Sequence, residues 1–353
     1  MKTLLVPHSR PFLDKREKKA VTQTISSGQL SQGNQVAALE RKIRSYVGHN
    51  HGIAVSSGTS ALYLTLRAMK IGKGDHVIIP SYVCTALLNA VMFAGATPVL
   101  SDVDPQSGNI TVFQIKKIKK KRIRAVIVPH LFGNPVDIME VEALGIPVIE
   151  DCAQCIGTSL NGKRIGGLST VSIFSFYTTK VLAAGEGGLI ATSDKTIAER
   201  LMDLREYDNC DDYTPRFNFK LSDLHAAVAV QQFSKLKEMV TKRRAIAYEY
   251  LKSIVPLSPH IRTMPSDLLR NSIFYRFIVQ FETGAEKLIN IMKKKGVHCS
   301  RPVYKPLHHY LNKKGFQNTD TMYHHAVSIP CYPSLTIKER EYIIKTIQSI
   351  VKT

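Results

Sequence analysis

The chain has 353 residues, 44% of them hydrophobic, which is enough for about two domains around a sizeable core. No apolar run approaches the ~20 residues of a membrane span, and L-L-V near the start is too short for a signal-peptide core, so the expectation is a cytoplasmic protein with no membrane partner. Forty-eight Lys and Arg against 28 Asp and Glu leave a formal charge of +20, which raises nucleic acid as a partner and makes the distribution of charge decisive.

In K-K-A-V-T-Q-T-I-S-S the apolar positions fall at helical spacing, and S-S-G stops the helix; a second helix is predicted from Asn34 to Tyr46. From there to about residue 193, strands at 52–55, 76–79, 97–101, 125–129, 146–150, 171–176 and 188–192 alternate with helical or turn segments. Continuous apolar runs such as A-V-I-V, bounded by Gly and Pro, suit strands buried on both faces, hence a mostly parallel seven-stranded sheet between helices. Seven of the nine residues from Lys116 to Arg124 are basic, and the run reads as the exposed end of a helix. With no interleaved aromatics, zinc fingers or helix-turn-helix pattern beside it, a solvated basic face is expected and nucleic acid is not.

From Asp194 the pattern turns helical, through I-A-E-R-L-M-D-L-R and L-S-D-L-H-A-A-V-A-V-Q-Q-F to a long helix from Ser234 to Ile254 that links two domains. Between these, Tyr207 to Lys220 is a polar, aromatic loop long enough to be functional. The remainder carries one clear strand, I-F-Y-R-F-I-V-Q-F, and helices near 284–295 and 337–351. The class is therefore α/β: a large domain over 1–233, a connecting helix over 234–254 and a small α+β domain over 255–353. The six cysteines have no framework spacing and are expected as free thiols; Cys152 and Cys155 form a C-x-x-C without the second pair a zinc site needs. The pairs His308–His309 and His324–His325 lack i, i+4 spacing, and no metal is expected.

One lysine stands out. V-S-I-F-S-F-Y-T-T-K-V-L-A-A-G-E-G-G delivers Lys180 to a turn of small residues, among Phe174, Phe176, Val181 and Leu182, where desolvation would favour a neutral amine for carbonyl chemistry. Three other stretches supply what an aldehyde cofactor with a phosphate and a pyridine ring requires. G-I-A-V-S-S-G-T-S-A-L is a strand, a small polar turn and a helix start, whose N–H groups and hydroxyls suit a phosphate, or simply cap the helix. I-P-V-I-E-D-C-A-Q ends a strand on Glu150 and Asp151 at the sheet edge where open α/β sheets bind ligands, and a carboxylate there would hold a pyridine nitrogen protonated. I-I-P-S-Y-V-C-T-A ends another strand with Tyr82, either a ring laid against the cofactor or a core tyrosine.

The order and wording of these blocks resemble the DegT/StrS-type pyridoxal-phosphate aminotransferases that act on nucleotide-linked keto sugars. The resemblance runs from S-G-Q-L-S-Q-G-N-Q-V at Ser27 through S-G-T-S-A-L, V-I-E-D-C-A-Q, F-S-F-Y-T-T-K, G-E-G-G and N-F-K-L-S-D-L-H-A-A-V to R-P-V-Y-K-P-L-H-H-Y and S-I-P-C-Y-P-S-L-T. It implies an aspartate-aminotransferase-like fold and pyridoxal 5'-phosphate as cofactor. Lys180 becomes the Schiff-base lysine and proton shuttle, Asp151 the partner of the pyridinium nitrogen, and Gln154 a donor to the ring hydroxyl. Gly58, Thr59 and Ser175 match the phosphate ligands, and Tyr82 the stacking ring. Asn218 matches a phosphate ligand supplied by the neighbouring subunit of a homodimer, and His308 matches a substrate contact. The chain departs from the family at Cys152 and Cys155, where small residues are usual, and at Tyr177, where many relatives carry histidine.

The function the resemblance implies is transfer of an amino group, with glutamate as donor, to a nucleotide-linked keto sugar in amino-sugar biosynthesis. The alternatives are a pyridoxal-phosphate enzyme of another reaction type, such as a dehydratase or a cyclitol aminotransferase, and a non-catalytic basic binding protein on the same fold. Family members that dehydrate look as if they carry histidine in place of the lysine, so Lys180 argues for amine transfer.

Overall fold

The computed structural model describes residues 4–351 apart from 120, 209, 258 and 260. Helix α1 (Lys15–Ser26) starts at a capping box, in which Asp14 accepts from Arg16 N and the Glu17 carboxylate returns to Asp14 N at 2.8 Å. Helix α2 (Asn34–Val47) has no side-chain cap of its own. Its first turn is tied by the buried carboxylate of Asp223, which accepts from the N–H groups of Gly33, Gln35 and Val36 at 2.9–3.1 Å. A Cβ on Gly33 would lie 2.8 Å from Asp223 Oδ2, so this approach requires glycine.

All seven expected strands form one sheet: β1 (His51–Val55), β2 (His76–Pro80), β3 (Thr97–Ser101), β4 (Ile123–Pro129), β5 (Val148–Asp151), β6 (Val171–Ser175) and β7 (Gly188–Thr192). Their order is β1-β7-β6-β5-β4-β2-β3, and β7 alone runs antiparallel to its neighbours. Alternate residues go to opposite faces: Ile53 and Val55 of β1 join one core and Ala54 the other, while Ile190 of β7 separates from Leu189 and Ala191 in the same way. Burial on both faces explains why these strands read as unbroken apolar runs. Helix α3 (Gly58–Ala68) follows β1, and α4 (Thr85–Phe93) follows β2.

The basic run departs from the helical expectation. The helix before it, Val112–Lys116, ends at the first lysine, and the described cations from Lys117 to Arg124 lie beyond it and are exposed; Lys120 lies outside the described residues. Only Arg122 among them has a carboxylate near, Asp75 at 3.6 Å.

Helices α5 (Lys195–Arg205) and α6 (Asp223–Ser234) lead to α7 (Leu236–Ser253). The long helix predicted from Ser234 begins instead at Leu236. Lys235 breaks away from α6, with its buried amine bonded to Phe12 O at 2.8 Å and to the carboxylates of Asp14 and Glu17. A smaller antiparallel sheet follows, ordered β8 (Ile261–Arg262), β9 (Phe277–Phe281), β10 (Ala326–Ile329), with α8 (Ala285–Lys294), α9 (Gln317–His325) and α10 (Ile337–Val351) around it. Only β9 was legible as a strand, and it starts at Phe277. The residues just before it leave the sheet: Phe274 has φ 50°, while Ile273 N and Arg276 N bond Gly133 O and Phe132 O at 3.1 and 3.3 Å. Gly133 admits this contact because a Cβ there would sit 2.7 Å from the Ile273 side chain. The opening segment also differs from the domain expectation. Val6 N bonds Gly296 O and His298 N bonds Val6 O, at 2.8 and 2.9 Å, so Val6 packs in the core of the C-terminal lobe.

Candidate active site

The carboxyl ends of β5 and β6, the start of α3 and the loop between β6 and β7 meet along one edge of the large sheet. Ser57 caps α3, its hydroxyl accepting from Ser60 N at 3.0 Å. As the first residues of the helix, Gly58 and Thr59 carry N–H groups with no intrahelical partner. Ser175 ends β6 against this turn: a Cβ on Gly58 would lie 2.9 Å from Ser175 Cβ and 3.2 Å from its hydroxyl. Gly188 presses on the same turn from β7, where a Cβ would meet Ser57 O at 2.4 Å. These contacts form a cradle of N–H groups and one hydroxyl, sized for glycine on the helix side, that suits a phosphate group.

Asp151 ends β5 and is buried. Its Oδ1 accepts from Ala153 N at 3.0 Å. Burial raises the carboxyl above its usual range, against the opposing effects of the Ala153 N–H and the charges of Lys180 and His130. A positive partner beside the second oxygen would keep it ionised. Gln154 turns its Oε1 to Phe132 N at 2.8 Å, which leaves the amide NH2 as the donating end. Beneath them Glu150, fully buried, accepts from His130 Nε2 at 3.0 Å, from Gly166 N at 2.7 Å and from Leu168 N at 3.3 Å. Burial alone would raise its pKa, but these partners outweigh it and hold the carboxylate ionised.

Lys180 lies in the loop joining β6 and β7, pinned by Phe176 N to Gly187 O, Thr178 N to Gly185 O and Lys180 N to Tyr177 O at 2.8–3.0 Å. Gly187, at φ 135°, packs under Leu221 and Phe176, where a Cβ would lie 3.0 Å from Leu221 on a backbone strained for any other residue. Phe174, Phe176, Val181 and Leu182 do surround the lysine in sequence, yet they fill the core below the loop, and the amine points to the C-terminal lobe. Its Nζ stands 5.5 Å from the centre of the Tyr275 ring, and the Tyr275 hydroxyl reaches Thr179 Oγ1 at 3.4 Å. Burial would raise the Tyr275 phenol, but the charges of Lys180, Arg276 and Arg243 and the Thr179 contact outweigh it and bring it down to about 8.

The other expected site residues divide. Asn218 is exposed between Phe217 and Phe219, whose rings stack 5.1 Å apart and lie edge-on to Tyr63 of α3. The backbone around it is fixed by bonds from Phe217 N and Phe219 N to the end of α5. Tyr82 does not line the site: its ring is fully buried beside Phe132 and Gly108, and its hydroxyl donates to Met322 O at 3.3 Å, so no face is left for a cofactor. The exposed residue at that strand end is Cys84. His308 is likewise buried, with Nδ1 2.7 Å from Ser81 Oγ, Nε2 3.1 Å from Asp320 Oδ1, and Phe316 stacked on its ring, so it offers no free nitrogen to a substrate. His309 reaches the same oxygen at 2.8 Å, so the two adjacent histidines converge on Asp320. Cys152 and Cys155 are buried thiols, pushed up in pKa by burial; nearby His130 has Nδ1 bonded by Val136 N and Nε2 on Glu150.

Residues that the sequence did not single out complete the site. His8, Arg10, Thr179, Arg243, Tyr275 and Arg276 line the cavity beside Lys180. None carried a local signal. His8 and Arg10 precede the first helix, and Tyr275 with Arg276 sat inside what read as a strand.

A lysine, a buried carboxylate and a glycine-sized helix start meet on one edge of a mostly parallel sheet, and the fold is that of the α/β aminotransferases. The chain belongs to the DegT/DnrJ/EryC1/StrS aminotransferase family, whose model matches residues 11–348. It is similar to S. venezuelae DesV, solved in complex with a ketimine intermediate, with 28% identity, 99% of this chain and 100% of that chain covered, and a TM-score of 0.89. A DegT DnrJ EryC1 StrS aminotransferase from Brucella abortus matches with 27% identity, 96% of both chains covered and a TM-score of 0.88. Spr1654 from Streptococcus pneumoniae, solved in a PLP-form, shares the fold at 21% identity, with 99% of both chains covered and a TM-score of 0.90. Among the described residues no helix is long and apolar enough to cross a membrane.

Proposed function

We propose that this aminotransferase uses pyridoxal 5'-phosphate to move an amino group from glutamate to a keto sugar carried by a nucleotide, in the cytoplasm and as a homodimer. The observation that carries the reading is the convergence of Lys180, Asp151 and the Gly58–Ser175 cradle on one sheet edge. These groups fit the cofactor by chemistry: N–H donors and a hydroxyl for the phosphate, a carboxylate for the ring nitrogen, the Gln154 amide for the ring hydroxyl and an amine for the aldehyde. Bound there, the cofactor supplies a carbonyl to condense with amines and a ring that withdraws electrons.

The chain's own residues do the rest. Asp151, desolvated, gains the cation it lacks and keeps the ring nitrogen protonated. Lys180 moves the proton, its loop held by the Gly185 and Gly187 contacts. Asn218, exposed on a braced loop, is assigned to the site of the second subunit. The resemblance of the sequence motifs to sugar aminotransferases supports a sugar acceptor; the nucleotide and the donor are this proposal's own. The test is to incubate the purified protein with glutamate and a panel of nucleotide-linked keto sugars and to read amino sugar and 2-oxoglutarate by mass spectrometry. Absence of both products across the panel would refute it.

A further inference from the structure

The cavity beside Lys180 is electrostatically one-sided. Arg10, Lys180, Arg243 and Arg276 line it, and among the described residues no Asp or Glu does. Such a site draws an anion. The three guanidinium groups are not equivalent, however. Arg10 is paired with Glu339 at 2.9 Å. Arg243 is buried and directs Nη1 to the carbonyls of Phe274, Tyr275 and Cys331. Arg276 has no carboxylate within ion-pair distance among the described residues. Its side-chain partner is His8, with Nη1 3.1 Å from Nε2.

His8 cannot supply the missing charge. Burial, then the neighbouring charges of Arg276 and His298, lower its pKa to about 3, so the ring is neutral. Its Nε2 faces Arg276 Nη1 and the hydroxyls of Ser328 and Ser300 at 2.9–3.1 Å, the arrangement of an acceptor that orients the guanidinium. Arg276 and Lys180 flank one ring, Cζ at 5.4 Å and Nζ at 5.5 Å from the Tyr275 centroid. The segment that holds Arg276 there is the irregular stretch before β9, tied to Phe132 and Gly133 of the large domain.

We propose that Arg276 is the carboxylate anchor of this active site, holding the amino donor by its carboxylate beside Lys180, with His8 as the residue that positions it. The proposal rests on the aminotransferase reading above. A planar guanidinium with no anionic partner matches a carboxylate through two parallel N–H···O bonds, which an ammonium cannot do. An amino acid always carries that group next to its amine, whereas a keto sugar need not.

The experiment compares wild type, Arg276→Gln and Arg276→Lys in two measurements. Binding of glutarate, which has the carboxylates and no amine, is followed by calorimetry. The donor and ketone half-reactions are followed separately by single-turnover absorbance. Loss of charge-assisted bonds predicts that Arg276→Gln weakens glutarate and raises the donor KM by between about 10- and 150-fold, with the ketone half-reaction changed less than about threefold. Arg276→Lys recovers part of the loss, and His8→Phe raises the donor KM while leaving the maximal donor rate within about threefold. Unchanged glutarate affinity and donor KM in Arg276→Gln would overturn the anchor, as would a loss confined to the ketone half-reaction, which would assign Arg276 to the acceptor. Arg276-dependent glutarate binding in a wild type that converts no amino acid would instead refute the transamination reading and leave the carboxylate site standing.

Discussion

Replacing Asp151 by Asn separates the cost of a buried charge from its use. In the wild type Oδ1 accepts from Ala153 N at 3.0 Å, and Asn can keep that bond through its own oxygen. The amide NH2 then stands where the second carboxylate oxygen stood. Two donors cannot pair, so a protonated ring nitrogen loses its acceptor. A charge-assisted hydrogen bond contributes about 1.5–3 kcal/mol, and its loss lowers turnover by about one to two decades. Stability moves the other way. Burial raises the Asp151 carboxyl in the folded protein above its value in the unfolded chain, so over the window between the two the folded state binds more protons. Stability conferred by this residue is therefore lost as pH rises through that window, and at neutral pH the cofactor-free Asn variant melts at or above the wild type. The assays are single-turnover absorbance with glutamate and urea unfolding of the cofactor-free protein at pH 7. Near-normal turnover, or an Asn variant clearly less stable than wild type without cofactor, would refute the reasoning.

Borohydride reduction of the purified protein should fix the cofactor to Lys180, with peptide mapping as the check, while Lys180→Ala folds and binds the cofactor without a covalent bond. Tyr82→Phe removes only the hydroxyl that reaches Met322 O and should cost about 0.5–1.5 kcal/mol in unfolding experiments without changing cofactor affinity, whereas a stacking role would weaken the cofactor on Tyr82→Ala far more than the fold. Lys180→Ala and an inactivating Asn218 variant, mixed under verified subunit exchange, should recover about a quarter of wild-type activity, because half the dimers are mixed and each has one intact site; background activity would return Asn218 to its own subunit or to none. His8 titrates near 6.5 in the unfolded chain and at about 3 in the folded one, so stability should fall as pH drops from 6.5 towards 3, and His8→Gln should flatten that slope in urea melts at pH 5 and 7.

Local pattern carried the large sheet because its strands are mostly buried on both faces and most are bounded by Gly or Pro, so β1 to β7 were readable to within two or three residues. The positions of Asp151 at the end of β5 and of Gly58 at the start of α3 were readable for a related reason: ends of elements leave marks in sequence. Tyr82 and His308 were misplaced because the direction of a side chain past a strand end is set by what packs over it, here Phe132 and Phe316. The small sheet was mostly hidden, since β8 has two residues and β10 four. Arg276 was hidden most deeply. Its position depends on a positive φ at Phe274 and on hydrogen bonds to residues about 140 positions earlier, neither of which has a local signature.

The pairing of Val6 with Gly296 and His298 has a consequence for biosynthesis on the ribosome. Among the described residues, the backbone bonds of the loop that carries Lys180 and of the turn at Gly58 draw on no residue beyond α6. The other wall of the cavity needs His8 to wait for its neighbours Ser300 and Ser328, which follow it by 292 and 320 residues. A nascent chain can thus form the wall that carries Lys180 long before the wall that carries His8. The last step closes a loop of almost the whole chain, the slowest kind of contact to form, and the opening segment is exposed until it does.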